Sequence, residues 1–389
     1  MNGEEKLARR YDIDWLRNLG ILLLFPFHSA RVFDHWDPFY VKSDVLSWGL
    51  TWFVSMTSYW FMPLLFWLAG SASWYALSRR SNRQYIKDRF SRLFIPLLFG
   101  VFIIVPPQGY FAKLHHTGET VGSYMNFLKT FFTDFSDLSG YFGTFTPAHL
   151  WFILYLFVLS LIALPFFSFV INKKRHHTIE KFNVAFSQPI IFILFFIVLV
   201  FTQILPAPGG QNPFYFLVIF IMGFITCSHQ AYQEMFNRIR FKALILMLIL
   251  VPTWMFLMYQ NQDALKYSTI DISLTFLRMF NVWLSLIILL GYGNKFLNFP
   301  SKLLPYLNEA AFPIYIIHQS VLVVVGYFVL KLNISTLPMF LMIMLLTLAI
   351  SLLVYEFIIK RTAFTRWVFG VKIRKVTNHV DNNQIKSSI

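Results

Sequence analysis

The fold is decided by apolar stretches such as residues 16–28, which read LRNLGILLLFPFH. Apolar runs of this kind indicate helices that lie in a hydrocarbon environment. The same stretch carries two ionisable groups, Arg17 and His28. At 100° and 1.5 Å per residue, these side chains share one helical face and lie roughly 16 Å apart along the axis. An ionisable group so deep in an apolar helix is costly and usually marks a functional interior.

The composition predicts an all-α integral membrane protein. Hydrophobic residues make up 57% of the chain, charged residues make up 13%, and 46 of 389 residues are Phe. A soluble protein of this length cannot cover so much apolar surface. About ten segments are long enough to cross a hydrocarbon core of roughly 30 Å. We predict spans near residues 16–33, 48–77, 92–108, 149–171, 188–206, 213–230, 241–260, 271–291, 310–331 and 336–359.

The distribution of basic residues predicts the orientation. With a cytosolic N-terminus, cytosolic segments hold about 25 of the 33 Lys and Arg residues, and external loops hold about five. This positive-inside bias predicts a multi-pass protein of the plasma membrane with both termini in the cytosol. The net charge of +15 is therefore mostly topological and predicts a bilayer partner rather than nucleic acid. Because Cys227 is the single cysteine, an internal disulfide and a multi-cysteine metal site are excluded, and we expect no metal.

The chain is organised as one domain with a short tail. We predict a polytopic membrane domain over residues 1–369 and a basic, then polar, cytosolic tail over residues 370–389. The longest connection is external and runs roughly over residues 109–148. Its aromatic content favours packed or re-entrant structure, and aromatic faces with hydroxyl groups suit a sugar-like ligand.

His28 is a candidate proton acceptor. Pro26 removes a backbone hydrogen bond, so we expect the helix to kink or open beside the histidine. A buried neutral imidazole can accept a proton from a substrate hydroxyl. The structural alternative is a histidine that packs against a neighbouring helix.

Arg89 and Arg92 are a candidate anion site. Their spacing of three predicts that both guanidinium groups share one face at the cytosolic start of the third span. Free N–H groups at a helix start would add to that site, and forked Arg donors suit phosphate. The alternative is ordinary positive-inside charge. Arg17 lies one turn after Asp14, and we expect these two side chains to pair.

Two further histidines border the predicted interior. His318 lies within the ninth predicted span and is expected to approach His28 near mid-membrane. His149 opens the fourth predicted span, where we expect it at the external interface with Trp151 in an aromatic belt. A structural role and a functional role both remain open for these histidines. The sequence contains no Walker loop, dinucleotide fingerprint, HExxH or GxSxG motif, so ATP, dinucleotide and zinc chemistry have no visible apparatus.

Four short motifs resemble the membrane acyltransferase-3 family when they are taken in order. They are Arg17-x10-His28, Arg89-x-x-Arg92, His149-Leu150-Trp151-Phe152 and Ile314-Tyr315-Ile316-Ile317-His318. The stretches Phe25-Pro26-Phe27-His28-Ser29 and Phe66-Trp67-Leu68-Ala69-Gly70 resemble the glucan biosynthesis protein C-like subgroup. The resemblance runs from about Tyr11 to Lys360.

The resemblance implies an enzyme that moves an acyl group, acetyl or succinyl, from cytosolic acyl-CoA to a hydroxyl of an extracytoplasmic glycan or related envelope acceptor. By motif match, His28 is implied as the catalytic histidine, and Arg17, Arg89 and Arg92 are implied to bind the donor phosphates. No bound cofactor is expected, since acyl-CoA is a substrate.

Other roles accompany this interpretation. His318 is a second catalytic candidate, and in a variant of the mechanism His28 or His318 carries the acyl group transiently. We expect His149 and Trp151 to contact the acceptor. A secondary transporter with a path lined by His28, His318 and Arg278 is the main alternative. An acyl carrier with a lipid or peptidoglycan acceptor is a third possibility.

Overall fold

The computed structural model describes residues 9–137, 139–172, 176–332 and 334–372, and every regular element in these ranges is helical. The α-helices are α1 (Tyr11–Arg31), α2 (Trp48–Leu77), α3 (Asn82–Arg89), α4 (Ile95–Phe99), α5 (Val105–Thr117), α6 (Tyr124–Phe131), α7 (Trp151–Ile162), α8 (Leu164–Ile171), α9 (His176–Phe186), α10 (Pro189–Leu194), α11 (Phe196–Thr202), α12 (Pro213–Ser228), α13 (Gln230–Gln260), α14 (Thr269–Leu297), α15 (Leu304–Val329), α16 (Thr336–Val354) and α17 (Ala363–Val368). Turns of π-helix occupy Phe90–Phe94, Gly100–Ile104 and Tyr355–Ile359. The predicted all-α class is confirmed.

Many of these helices suit a membrane. Among the described residues, seven continuous helices are long and apolar enough to cross it. The number rises to nine if two bent pairs, α7 with α8 at 51° and α9 with α10–α11 at 85°, each form one span. A many-span membrane architecture is therefore confirmed, whereas the number ten and the cytosolic termini stay predictions.

The first helix lies inside the bundle. Its 21 residues are long enough to cross a bilayer, but its polar side chains keep it out of the apolar set. It packs against α2, α14, α15 and α16. Protein rather than lipid therefore surrounds its ionisable groups, which is where such groups are tolerated in a membrane. The helix runs without a break through Pro26.

The third predicted span is longer than expected. We predicted residues 92–108, but the helical run extends over Asn82–Thr117 and contains two π turns. Its first turn is capped because the Ser81 hydroxyl accepts a hydrogen bond from the backbone of Gln84 (3.3 Å). Hydropathy marks only the apolar part of a helix, so the polar turns at its ends escape the prediction.

The long connection after this helix is packed, as its aromatic content predicted. Helix α5 continues to Thr117, and α6 follows as an amphipathic segment. The Phe127 and Phe131 side chains are buried. Both rings lie against the backbone of Gly109, which lacks a side chain that would collide with them. The connection is therefore attached to α5 as a small outer layer.

The predicted tail is described only at its start. Residues 370–372 follow α17 and lie against the bundle, and residues 373–389 of the predicted tail lie outside the described residues. The proposed division at residue 369 stays a prediction.

The orientation can be tested with single cysteines in a Cys227→Ser background. Lys266 is exposed in the connection between α13 and α14, and Lys302 is exposed between α14 and α15. We expect a membrane-impermeant thiol reagent to label Lys266→Cys in intact cells, because that loop is predicted to be external. Lys302→Cys should react only after the cells are permeabilised. The opposite pattern would invert the topology and contradict the positive-inside assignment.

Candidate active site

Three imidazole rings from distant parts of the chain meet in the bundle. His28 lies on α1, His318 lies on α15, and His149 lies in the turn that precedes α7. The ring centroids of His28 and His318 are 5.3 Å apart, and those of His149 and His318 are 5.1 Å apart. His318 and His149 are buried, whereas His28 is half-buried. The predicted approach of His28 and His318 is confirmed, and His149 joins them.

Arg17 and His28 both lie on the face of α1 that packs against α15. The Arg17 guanidinium donates to Asn308 Oδ1 (2.8 Å), and the His28 ring contacts His318. Both partners belong to α15, and they are separated by nearly the same number of residues as Arg17 and His28. The shared face predicted from an 11-residue spacing is therefore the face that α1 turns towards α15.

Backbone carbonyls fix the protonation pattern of two of the three rings. His318 Nδ1 lies 2.6 Å from the Tyr315 carbonyl oxygen, and His149 Nε2 lies 2.8 Å from the Ile316 carbonyl oxygen. A carbonyl can only accept, so each of these nitrogens carries the proton. The other nitrogens, Nε2 of His318 and Nδ1 of His149, then carry lone pairs. Both are buried without a hydrogen-bond partner among the described residues.

His28 is held by aromatic contacts. Within the described ranges its ring makes no hydrogen bond, and its Nδ1 is buried. The ring stacks on Phe39 with a centroid separation of 6.2 Å and an interplanar angle of 15°. Phe27 makes an edge contact at 5.2 Å. His28 is thus the most accessible of the three imidazoles, and neither of its nitrogens makes a hydrogen bond within the described ranges.

His149 is buried inside the bundle, and its predicted level at the external interface stays a prediction. The turn Ala148–Leu150 folds inwards, so the ring lies against His318 and Tyr315. The Tyr315 hydroxyl donates to the His149 carbonyl oxygen, which completes a reciprocal contact between this turn and α15. Ala148 adopts a φ of +49°, a strained conformation for a residue with a Cβ.

A close approach of backbone makes this turn possible. Gly100 lies in the second π turn of the third span. A Cβ at this position would lie 2.4 Å from the Leu150 Cδ1 methyl, so a larger residue here would force the buried Leu150 side chain to move. In the sequence, Gly100 is an isolated glycine inside a helical pattern. Such a glycine indicates a close packing contact, and this was the available signal for the position of the turn.

A buried ion cluster that sequence reasoning missed orders the loop above His28. Both oxygens of the fully buried Asp34 carboxylate are used, by Arg31 (2.6 Å) and by Lys42 (2.7 Å). Both cations also donate to backbone carbonyls of the loop, among them that of Asp37. The loop therefore holds Phe39 against the His28 ring. The i, i+3 spacing of Arg31 and Asp34 was visible, but their burial was not.

The expected helix-start site at Arg89 and Arg92 is wrong in one respect. Helix α3 begins at Asn82, so the free N–H groups of its first turn lie about 10 Å before Arg89. Arg89 turns inwards instead: its guanidinium donates to Ser73 Oγ (3.0 Å) and lies 4.4 Å from the Tyr85 ring centroid.

Arg92 differs from the other two arginines. It lies in the π turn Phe90–Phe94, so the angle expected for a spacing of three in a regular helix does not apply. Its guanidinium makes no hydrogen bond or ion pair within the part of the chain that the structure describes.

Arg17 is half-exposed and also pairs with Asp14 (3.0 Å), as predicted. All three arginines lie towards the end of the bundle predicted to face the cytosol.

Trp151 does not contact the three histidines. Its ring packs on Phe216 (5.3 Å), Tyr155 (5.4 Å) and Phe66 (6.1 Å). A contact with an acceptor stays a prediction for this residue. No group of three or more His, Cys, Asp or Glu side chains in the described ranges is arranged to hold a metal ion.

Comparisons with known proteins find a matching protein family and similar relatives. The protein family described as "Acyltransferase domain" matches residues 10–356. The chain is 26% identical to Glucans biosynthesis protein C of Salmonella schwarzengrund (strain CVM19633) over 373 residues, which cover 90% of this chain and 91% of that protein. The protein of the same name from Salmonella heidelberg (strain SL476) matches with the same identity and coverage. No solved structure matches.

The reciprocal contact between α15 and the His149 turn can be tested by Tyr315→Phe. The change removes the hydroxyl that donates to the His149 carbonyl, so we expect a loss of about 1 kcal/mol in the free energy of unfolding. The control is Tyr327→Phe, whose hydroxyl bonds the exposed Lys331 ammonium (3.0 Å) and should matter less. Thermal unfolding of both variants in detergent measures the difference. Equal melting temperatures would argue against a stabilising role for this contact.

Proposed function

This chain belongs to the acyltransferase domain family, and from this we propose that it is a membrane O-acyltransferase that uses cytosolic acyl-CoA. The acyl group, acetyl or succinyl, would pass to a hydroxyl of an extracytoplasmic glycan or a related envelope acceptor. The observation that carries the proposal is the convergence of three imidazoles, two with fixed free lone pairs, on the face of α1 that also holds Arg17.

The choice of a glycan acceptor rests on the relatives. The proteins that match over most of their length are named for glucan biosynthesis. The aromatic residues of the outer layer fit such a ligand, because sugar rings pack well against aromatic faces. Tyr141 lies in this layer and is partly exposed, and its ring packs on Tyr40 (5.0 Å) and Phe39 (6.0 Å).

His28 is the general base in this proposal. It takes the proton of the acceptor hydroxyl as that oxygen attacks the thioester carbonyl. The bond between the carbonyl carbon and sulfur then breaks, and the protonated His28 returns its proton to the departing thiolate. The products are the acyl ester and the free thiol of coenzyme A. His28 suits this role because it is the most accessible of the three rings and is free of hydrogen bonds among the described residues.

His318 orients the base in this mechanism. Its Nδ1–H is held by the Tyr315 carbonyl, so its Nε2 can only accept. With ring centroids 5.3 Å apart, a small rotation lets an N–H of His28 donate to that lone pair. A base whose ring is oriented by a second acceptor follows the general logic of catalytic histidines. His149 adds a second acceptor on the other side of His318.

The donor would bind at the cytosolic end. The phosphates of acyl-CoA would lie near Arg92 and Arg17, with Arg89 behind them, because guanidinium groups form forked hydrogen bonds with phosphate. The acyl end would then extend along the stripe from Arg17 to His28, roughly 16 Å at 1.5 Å per residue. Arg92 is the best-suited of the three for phosphate, because Arg17 and Arg89 already have protein partners.

Mass spectrometry of envelope glycans and lipids tests the function. Cells that lack the gene should lose an acyl mass on one molecule, and the wild-type gene should restore it. His28→Ala should fail to restore it, because the proposed base is gone, although the protein is made at normal levels. His35→Ala is the control, since that ring stacks on Trp48 at 4.1 Å in the outer loop. Full restoration by His28→Ala would refute the assignment of the base.

The donor site is tested by Arg92→Ala with purified protein. We expect donor KM to rise by about one to two orders of magnitude, because a charge-assisted phosphate contact is lost, while acceptor KM changes little. Arg83→Ala, an exposed arginine on the same helical run, is the control and should leave both values unchanged. An unaltered donor KM in Arg92→Ala would remove Arg92 from the donor site.

A further inference from the structure

The last described segment folds back onto the bundle beside Arg92. We call residues 363–372 the C-terminal clamp. It consists of α17, whose first turn is capped by the Thr362 hydroxyl (3.0 Å from the Thr365 nitrogen), and a short return strand of chain. The chain reverses at Gly370, whose φ is +69°, and the Val371 N–H donates to the Arg366 carbonyl (2.8 Å). This closure of a helix end favours glycine at the reversal.

Arg366 ties the clamp to α15. Its side chain is 5% exposed, and its two terminal nitrogens bind the two carboxylate oxygens of Glu309, each at 3.1 Å. The same guanidinium donates to the Lys372 carbonyl from Nε (2.9 Å) and Nη2 (2.6 Å). The Tyr355 hydroxyl also bonds Glu309 (3.0 Å). Four hydrogen bonds from one buried guanidinium thus fix the start of α15, the return of the clamp and their relative position.

Gly370 lies directly against the turn that carries Arg92. A Cβ at Gly370 would lie 3.0 Å from the Arg92 carbonyl oxygen, 3.1 Å from Pro96 and 3.2 Å from Phe312. The neighbouring Phe369 ring contacts Phe99 at 5.3 Å. The clamp therefore supports the π turn from the side predicted to face the cytosol.

The residue that the clamp binds, Glu309, is also next in sequence to the partner of Arg17. Glu309 follows Asn308, whose side-chain oxygen accepts from Arg17 (2.8 Å) and from Asn18 (2.7 Å). One end of the Arg366 ion pair is thus the α15 turn that holds Arg17, and the other end is the segment that supports Arg92. The two guanidinium groups proposed for the donor phosphates belong to different helices, and the clamp bridges them.

We propose that Arg366 and Gly370 are positioning residues for the donor site: through the clamp they set the separation of Arg17 and Arg92. This inference rests on the proposed function, in which those two arginines bind the donor. A clamp that merely stabilises the fold would affect donor and acceptor kinetics alike, whereas a positioning clamp affects donor binding selectively.

The experiment measures donor KM, acceptor KM and kcat for purified full-length variants. Gly370→Ala leaves both partners of the ion pair in place but puts a methyl group against the Arg92 carbonyl. Donor KM should rise about ten- to hundredfold, because a charge-assisted hydrogen bond to the donor phosphate is lost. Acceptor KM and kcat at saturating donor should stay within about threefold. Arg361→Gln, an exposed arginine just before the clamp, should change nothing.

A second variant keeps the test decisive if Gly370→Ala does not fold. Arg366→Lys retains the charge but loses the planar fork, so it should raise donor KM in the same selective way. The exchange Arg366→Glu with Glu309→Arg should recover part of the loss. In an Arg92→Ala background, Gly370→Ala should have no further effect on donor KM, because both act on one contact.

The outcomes separate this inference from the proposed function. If Arg92→Ala raises donor KM but folded Gly370→Ala and Arg366→Lys do not, the clamp inference is overturned and the donor site stands. If the clamp variants lower kcat and raise both KM values together with the loss of thermal stability, the clamp is only structural. If Arg92→Ala leaves donor KM unchanged, the donor site itself is wrong and the clamp inference is overturned with it.

Discussion

The reciprocal contact between α15 and the turn before α7 is the interaction on which the candidate site depends. His149 donates to the Ile316 carbonyl, and the Tyr315 hydroxyl donates back to the His149 carbonyl. In an interior without water, polar groups must find partners within the protein, so this exchange satisfies two buried groups at once. In the same stretch of α15, the Tyr315 carbonyl also accepts a hydrogen bond from His318 Nδ1. The three rings converge because the α15 backbone binds two of them.

The sequence predicts the part of this arrangement that is local. The 11-residue spacing on α1 places Arg17 and His28 on one face by helical geometry alone. Helix α15 contacts that face at both positions. The apolar composition predicts the all-α membrane class, and the acyltransferase resemblance is confirmed over residues 10–356. Residue spacing and amino-acid composition describe a single helix, so predictions from them are correct for features that depend on one helix alone.

The rest depends on contacts between segments far apart in the chain. His149 begins an apolar run, and its burial inside the bundle depends on a strained turn at Ala148 and a bare backbone at Gly100. The helix start expected near Arg89 lies earlier, because the polar stretch 82–89 is also helical and begins at the capping box of Ser81 and Gln84. The Asp34 ion cluster brings two cations together only after the loop has folded. Local spacings such as that of Arg31 and Asp34 are visible in the sequence, but the burial of these groups and the segments they contact are not.

The π turns in the third span have a consequence for the comparison of related sequences. A π turn absorbs one additional residue, so each residue after it lies about 100° from the face that regular α-helical counting from Arg89 would assign to it. Two such turns separate Arg89 from Gln108, so the far half of the helix is out of phase with the near half by about 200°. A homologue that lacks one of these residues runs through the same place as a regular α-helix, and its aligned residues beyond the gap keep the same face. Alignment gaps inside this span therefore mark the loss of a π turn, with the helical phase of the far half preserved.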